Sequence, residues 1–295
     1  MSKILRNEAR AGYLFVAPQI LGYLIFVLGP IVAVFVFSLH ERNLLSGSNI
    51  FIGLANYRRM LQLDPLFYKT IWNTLVFTAG LVPLGVVLAL VLALVSYERF
   101  PGVQVFRTII FAPVVTSAVA WAIVWRFLLQ GQQGAVNQLL ALVGISGPDW
   151  LRDPSTAMLS VVVSRVVKNA GLNVVIFLAA ISNLPEEIFE AARIDGATGR
   201  QLFFRVKVPM LMPTILMVTI LVTIGSLKVF DHIMLMTQGG PEHSTMVLVF
   251  YIYHQGFRFF DTGYASTLAV VLFIISLLLA LTQWSVRKRV YHFEE

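Results

Sequence analysis

A chain of 295 residues that is 58% hydrophobic and only 13% charged, at a mean hydropathy of +0.80, carries about half the charge of a soluble domain. That excludes a soluble globular protein and predicts an all-α polytopic membrane protein. The net charge of +7 needs no nucleic acid, since twelve of the 22 Lys and Arg fall in the N-terminus, two short loops and the C-terminus, as positive-inside insertion requires. With no cysteine, there is no disulfide, thiolate metal site, iron–sulfur cluster or Cys nucleophile.

A membrane-crossing helix needs about 20 apolar residues. The basic start (Lys3, Arg6, Arg10) resembles a signal peptide, but the apolar run behind it is too long and lacks an early small-residue cleavage site, so it reads as a retained span. That first span is 11–39, containing Pro18 and Pro30; a polar segment follows over 40–69, with a turn-like Ser46-Gly47-Ser48-Asn49. The second span is 70–95, with Asn73 near one end and Pro83 inside, and 96–107 is a short basic connection. The third is 108–129, with Pro113, Trp121 and Trp125, and it leads into a polar loop over 130–154. The fourth, 156–181, carries Arg165, Lys168, Asn169 and Asn173.

The polar stretch Pro185–Pro213 has the densest local punctuation in the chain. Pro185 suits the N1 position of a helix and Glu186 and Glu187 suit its positive end, while Asp195-Gly196 offers a left-handed stop. Thr198 to Gln201 is a capping box that opens a second helix bearing Arg200, Arg205 and Lys207. By pattern alone this is either an interfacial hairpin or a functional one. The fifth span is 208–236, and 237–245 is a polar loop. Residues 246–260 form an amphipathic aromatic stretch at the interface, and the sixth span, 264–284, ends at Arg287, Lys288 and Arg289. Six spans put both termini, 96–107 and the central stretch on one side. That side holds 12 cations against six opposite (Arg42, Arg58, Arg59, Lys69, Arg152, Arg258), which makes it cytoplasmic.

No phosphate-binding G-x-x-x-x-G-K-[ST] loop is present, so the chain itself is not expected to bind nucleotide. Gly144-Ile145-Ser146-Gly147 matches the short pattern of some intramembrane serine proteases, but Ser146 falls in a loop and no histidine lies well inside a span to activate it. The five histidines lack metal-ligand spacing. Polar residues at membrane depth are more informative, because a charge there is costly and faces a cavity or a partner. Arg165, Lys168, Asn169 and Asn173 share one face of the fourth span. Ser226, Lys228 and Asp231 form a patch in the fifth, with Lys228 and Asp231 spaced to pair. Helix-to-helix glue and a substrate-lining surface both fit these residues. An ion-coupled secondary transporter or channel would also use such charges.

Glu190-Ala191-Ala192, three residues, Gly196, nine residues, then Val206-Lys207-Val208-Pro209 resembles the EAA loop of ABC-importer permeases, with valine at two positions where the family has Ile and Leu. Glu-Ala-Ala-x-Ile-Asp-Gly-Ala is especially similar to the maltose-type carbohydrate importers. Phe51-Ile52-Gly53-Leu54-Ala55-Asn56-Tyr57, Asn73-Thr74, Gly134 with Asn137, Asp149-Trp150-Leu151, and Thr237-x-Gly239-Gly240-Pro241 with Ser244-Thr245 also match, in order, over about residues 10–290. The resemblance implies a cytoplasmic N-terminus (1–10), one permease domain (11–290, core 70–285) with a coupling loop at 184–207, and a tail (291–295). It implies that Glu190, Ala191, Ala192, Asp195 and Gly196 couple to a cytoplasmic ABC ATPase dimer, which holds the ATP and Mg²⁺; this chain has no cofactor. It also implies a solute path near Asn169, Gly171, Asn173, Ser226 and Lys228, a second homologous permease as partner, and an extracytoplasmic solute-binding protein delivering a sugar or related polar solute.

Overall fold

A computed structural model describes residues 3–98 and 100–291, and side chains within 12–98 and 100–285. The side chains of Lys3, Arg6, Arg10, Arg99, Arg287, Lys288 and Arg289 lie outside this description, as do residues 292–295 of the expected tail. The chain divides into two compact units, residues 1–64 with 251–273, and 65–250 with 274–295.

In the first unit, α1 (Lys3–Tyr23), a wide π turn (Leu24–Leu28) and α2 (Gly29–Ser38) form one apolar rod. It leads into an antiparallel hairpin of β1 (His40–Asn43) and β2 (Ser48–Phe51), in which His40 faces Phe51 and Asn43 faces Ser48. The expected Ser46–Asn49 turn becomes part of this hairpin, a small departure from an all-helical chain: Asn43 Oδ1 accepts from the Leu45 and Ser46 amides and tightens the corner. α3 (Ala55–Gln62) follows. Its buried Asn56 donates to the carbonyls of Ser38 and His40, tying α3 to the rod's end. Arg59 pairs with Asp261 at 2.8 Å and lies over the Tyr264 ring. Asp64 accepts from the hydroxyls of Tyr251 and Tyr264. Burial pushes the Tyr251 hydroxyl out of the ordinary phenol range, and the Asp64 carboxylate adds to this.

The second unit is built on α4 (Pro65–Tyr97), whose Thr70, Phe77, Leu81, Ala89 and Ala93 are buried at helical spacing. α5 (Val103–Val115), α6 (Ala118–Leu128), α7 (Ala135–Leu142) and α8 (Ala157–Ser182) follow. α8 is the most enclosed of the long helices and packs against α4, α5 and α12 (Met212–Leu227). It is also the least apolar of them, because its polar residues are shielded by neighbours rather than exposed to lipid. Before α8, Asp153 Oδ1 accepts from the Ser155 hydroxyl and amide, which hold its carboxyl below the usual range. α9 (Glu186–Ile194), α10 (Gly199–Gln201) and α11 (Val208–Met210) form the central stretch; α13 (Leu248–Tyr253) and α14 (Thr262–Tyr291) close the chain.

Among the described residues four helices are long and apolar enough to cross a membrane, or six segments if each of two bent pairs counts as one span. The two bent pairs correct the expected third and fifth spans. The third is broken at Thr116–Ser117, with α5 and α6 at 106°; Pro113 removes an amide near the end of α5, and Ser117 caps α6 by accepting from Ala120 N. The fifth bends 63° at Leu211, just before Pro213. It ends at Leu227, not Met236, because Lys228 takes the C-cap and Val229 and Phe230 leave the helix. Within the stretch 246–260 the helical part runs over 248–258, and Leu248, Phe250 and Tyr251 are buried rather than spread on an interface.

Candidate functional site

The hairpin at 185–213 is a self-contained construction. Pro185 is the N-cap rather than N1, with extended backbone (φ −63°, ψ 123°), so Glu186 and Glu187 take the first turn. α9 closes with a full Schellman motif: Ala197 N donates to Ala192 O, Gly196 N to Arg193 O, and Gly196 sits at φ 82°. Thr198 then starts α10; its amide donates to Gln201 Oε1 at 2.9 Å, and its hydroxyl accepts from Gln201 N. A wide turn over Leu202–Lys207 leads into α11. Phe189 is buried, and Lys207 Nζ lies 5.6 Å from its ring centre, closing the hairpin on itself. The outer face is left with Glu190, Ala191, Asp195 and Gly196 exposed and Ala192 half-buried. Ile188 and Ile194 are exposed beside them, Ile194 at 87%. An apolar side chain bared that far on a polar helix favours a partner surface. Sequence reading passed over Ile194, although it stands three positions after Ala191 on the same face.

The polar residues at membrane depth separate into different roles. Lys168 is buried, and its ammonium donates to the carbonyls of Pro113, Val114 and Thr116 at the broken end of α5, where Pro113 O also accepts the Thr116 amide. The glue reading therefore holds for Lys168. Gly171 sits where α8 meets α5: a Cβ there would lie 2.6 Å from Ile110 O and 2.8 Å from Val114 Cγ2. Ser226 is fully buried, 2.9 Å from the Thr78 hydroxyl and bonded to Thr223 O. Asn173 is buried, Asn169 half-exposed and Lys228 exposed. Lys228 and Asp231 form no ion pair, because the helix ends between them and their three-residue spacing no longer brings them together.

Arg165 Nη1 lies 3.5 Å from the Nδ1 of His232, which is fully buried; Arg165 Nε, His232 Nε2 and Ser164 Oγ have no hydrogen-bond partner among the described residues. His232 is enclosed, but it lies beyond the end of α12 at Leu227 and so not inside that span. The signal was its position one residue after Asp231, in a segment that the unbroken fifth span treated as ordinary. Ser146 is exposed in an extended loop, so the two never meet and no serine–histidine pair forms. Lys69 and Asn73, another pair whose role sequence reading did not identify, reach the 237–246 loop: Lys69 donates to Glu242 O, and Asn73 to the carbonyls of His243 and Met246. Among the described residues no group of three His, Asp or Glu is placed to hold a metal ion.

Long apolar helices with a capped polar hairpin between α8 and α12 fit a multi-pass membrane protein, and the family comparison gives its class. Residues 82–290 match the family of binding-protein-dependent transport system inner membrane components, and the chain belongs to that family. It is 35% identical over 283 residues to the lactose transport system permease protein LacF of Rhizobium radiobacter, covering 92% of each chain. It is 32% identical over 279 residues to the trehalose/maltose permease MalF of Thermococcus litoralis, covering 94% of this chain and 93% of that one. A subunit of a bacterial alginate ABC transporter, solved with a periplasmic protein carrying an alginate pentasaccharide, shares the fold at a TM-score of 0.86 and 24% identity, with 98% of each chain covered.

Proposed function

We propose that this chain is one permease subunit of an ATP-binding-cassette importer, passing a sugar or related polar solute across the membrane. Its family, and the lactose, arabinooligosaccharide and trehalose/maltose permeases at 32–35% identity, support the substrate class. In this reading the chain forms six spans, with both bent pairs crossing, both termini cytoplasmic, and 11–290 acting as one permease domain. A solute-binding protein delivers the solute outside, a second homologous permease completes the pathway, and a cytoplasmic ATPase dimer binds the ATP and Mg²⁺. The chain itself catalyses no reaction. The membrane-depth cations give the ion-coupled alternative little, since Lys168 is committed to backbone carbonyls.

The observation that carries the reading is the rigid hairpin at 185–213. Its exposed Glu190, Ala191, Asp195 and Gly196 and half-buried Ala192, flanked by Ile194, present a small apolar face edged by carboxylates, suited to a cleft with a basic rim. Only three residues separate α9 from the end of α8, so a push there enters the most enclosed span directly. The solute path then runs past Asn169, Asn173 and Lys228, while Gly171 and Ser226 shape it through packing. The test is the reconstituted complex in vesicles. Glu190→Lys and Gly196→Val should keep ATP hydrolysis and lose most uptake; normal uptake by both would sink the reading.

A further inference from the structure

Away from the hairpin and the path residues, the second unit contains an open cavity of about 880 Å³. Its walls come from the end of α6, the tight turn Gly131–Gln133, the loop before α8, and the segment after the π turn Ile233–Thr237. The groups that matter are Arg126, Phe127, Gln132, Asp149, Arg152 and Gln238. The volume lies near the top of the roughly 300–1,000 Å³ range of small-molecule sites, so a single ion would leave most of it empty.

The chemistry of the lining narrows the ligand. Guanidinium groups only donate, a carboxylate only accepts, and primary amides do both. Vicinal hydroxyls, which donate and accept side by side, satisfy all three at once. A carboxylated sugar would suit Arg126 and Arg152 but set its charge against Asp149, whereas a neutral one leaves every group paired. An apolar ligand would strand them all. Phe127, 66% exposed, supplies a flat apolar face on which the C–H side of a pyranose ring can rest. Among the described residues no side-chain hydrogen bond or ion pair uses Arg126, Gln132, Asp149 or Arg152.

The walls are also fixed in advance. Asn137 donates to Pro148 O at 2.9 Å and accepts from Trp150 Nε1 at 2.6 Å, holding the loop that bears Asp149 and Arg152. On the facing segment, Thr245 Oγ1 bonds both Thr237 Oγ1 and Gly240 O at 2.7 Å, and Gln238 is held at φ 54°. Such left-handed non-glycine backbone persists only where its surroundings over-determine it, and it concentrates at ligand clamps.

We propose that this cavity is a vestibule for a neutral saccharide of two or more rings, with Arg126, Asp149 and Arg152 on its hydroxyls and one ring face against Phe127. This rests on the importer reading, and it adds a site, a ligand class and the residues that bind it. The absence of cysteine supplies the test. A single cysteine is placed at Gln132 or Gln238, or as a control at Ser146, which is exposed outside the cavity. Labelling by an impermeant maleimide is then timed on the assembled transporter with lactose, maltotriose, raffinose or trigalacturonate. At ten times its half-saturating concentration, at least one neutral sugar should slow labelling at 132 and 238 about tenfold, leaving 146 unchanged. Trigalacturonate should protect less, and Asp149→Asn or Arg152→Met should abolish protection. The vestibule is wrong if no neutral sugar protects, if Ser146 is protected equally, if both substitutions leave protection intact, or if trigalacturonate protects best. Protection absent from a transporter that Glu190→Lys still uncouples overturns the vestibule alone. Protection present where Glu190→Lys transports normally overturns only the coupling assignment.

Discussion

Lys168 shows how far a residue's neighbours decide its meaning. Its ammonium meets the carbonyls where α5 stops, and bonds to a charged donor are worth about 1.5–3 kcal/mol each. Lys168→Met is therefore expected to lower the midpoint of thermal unfolding in detergent and to reduce uptake of every solute alike, with Lys168→Arg milder. A change confined to selectivity between charged and neutral solutes would make Lys168 a solute contact instead. Gly171→Ala forces its new Cβ against Ile110 O, which is backbone and cannot swing aside, so a loss of about 1–3 kcal/mol is expected. That loss should appear as a lower yield of folded protein with little change in the half-saturating solute concentration of the molecules that do fold. The sequence placed Arg165, Lys168, Asn169 and Asn173 on one face correctly, since helical spacing alone decides that. It did not disclose what Lys168 touches, because the acceptors exist only once the neighbouring span breaks. Pro113 followed four residues later by a serine was the available sign.

At the scale of elements, the hairpin was legible almost residue by residue, because caps and turns are local chemistry. Gly196 and the Thr198–Gln201 box stand where the sequence set them, and only Pro185 moved by one place. No atom lies within 4 Å of a Cβ added at Gly196, so Gly196→Val costs through its left-handed backbone alone, about 1–2 kcal/mol. Thr198→Ala should cost about 1 kcal/mol of local stability. Amide hydrogen exchange across 186–201 would register both as faster local opening, and unchanged protection would remove the rigid-hairpin premise. The long helices were equally readable from their apolar runs. The bends in the third and fifth were not, because a hydropathy window measures how apolar a segment is and carries no direction.

For the whole molecule, the cysteine-free sequence makes topology directly measurable. Single cysteines at Ser46, in the β1–β2 turn, and Ser182, at the end of α8, are both exposed. The six-span arrangement expects an impermeant reagent to reach Ser46 from outside and Ser182 only from the cytoplasmic face. Labelling of both from one side would discard it. The cation bias alone supported this arrangement in the sequence, through a two-to-one ratio that no single loop dictates. The elbow between α5 and α6 also has a mechanical consequence. Separating α8 from that elbow would take the lysine away from the carbonyls of Val114 and Thr116 and from its share of Pro113 O. Lys168 ties the kink to α8, so under the proposed coupling through α9 any sliding would fall along the faces α8 shares with α4 and α12. The residues that let transport happen would then be the smooth ones on those faces, such as Gly80 against Val162, rather than any charge in the membrane.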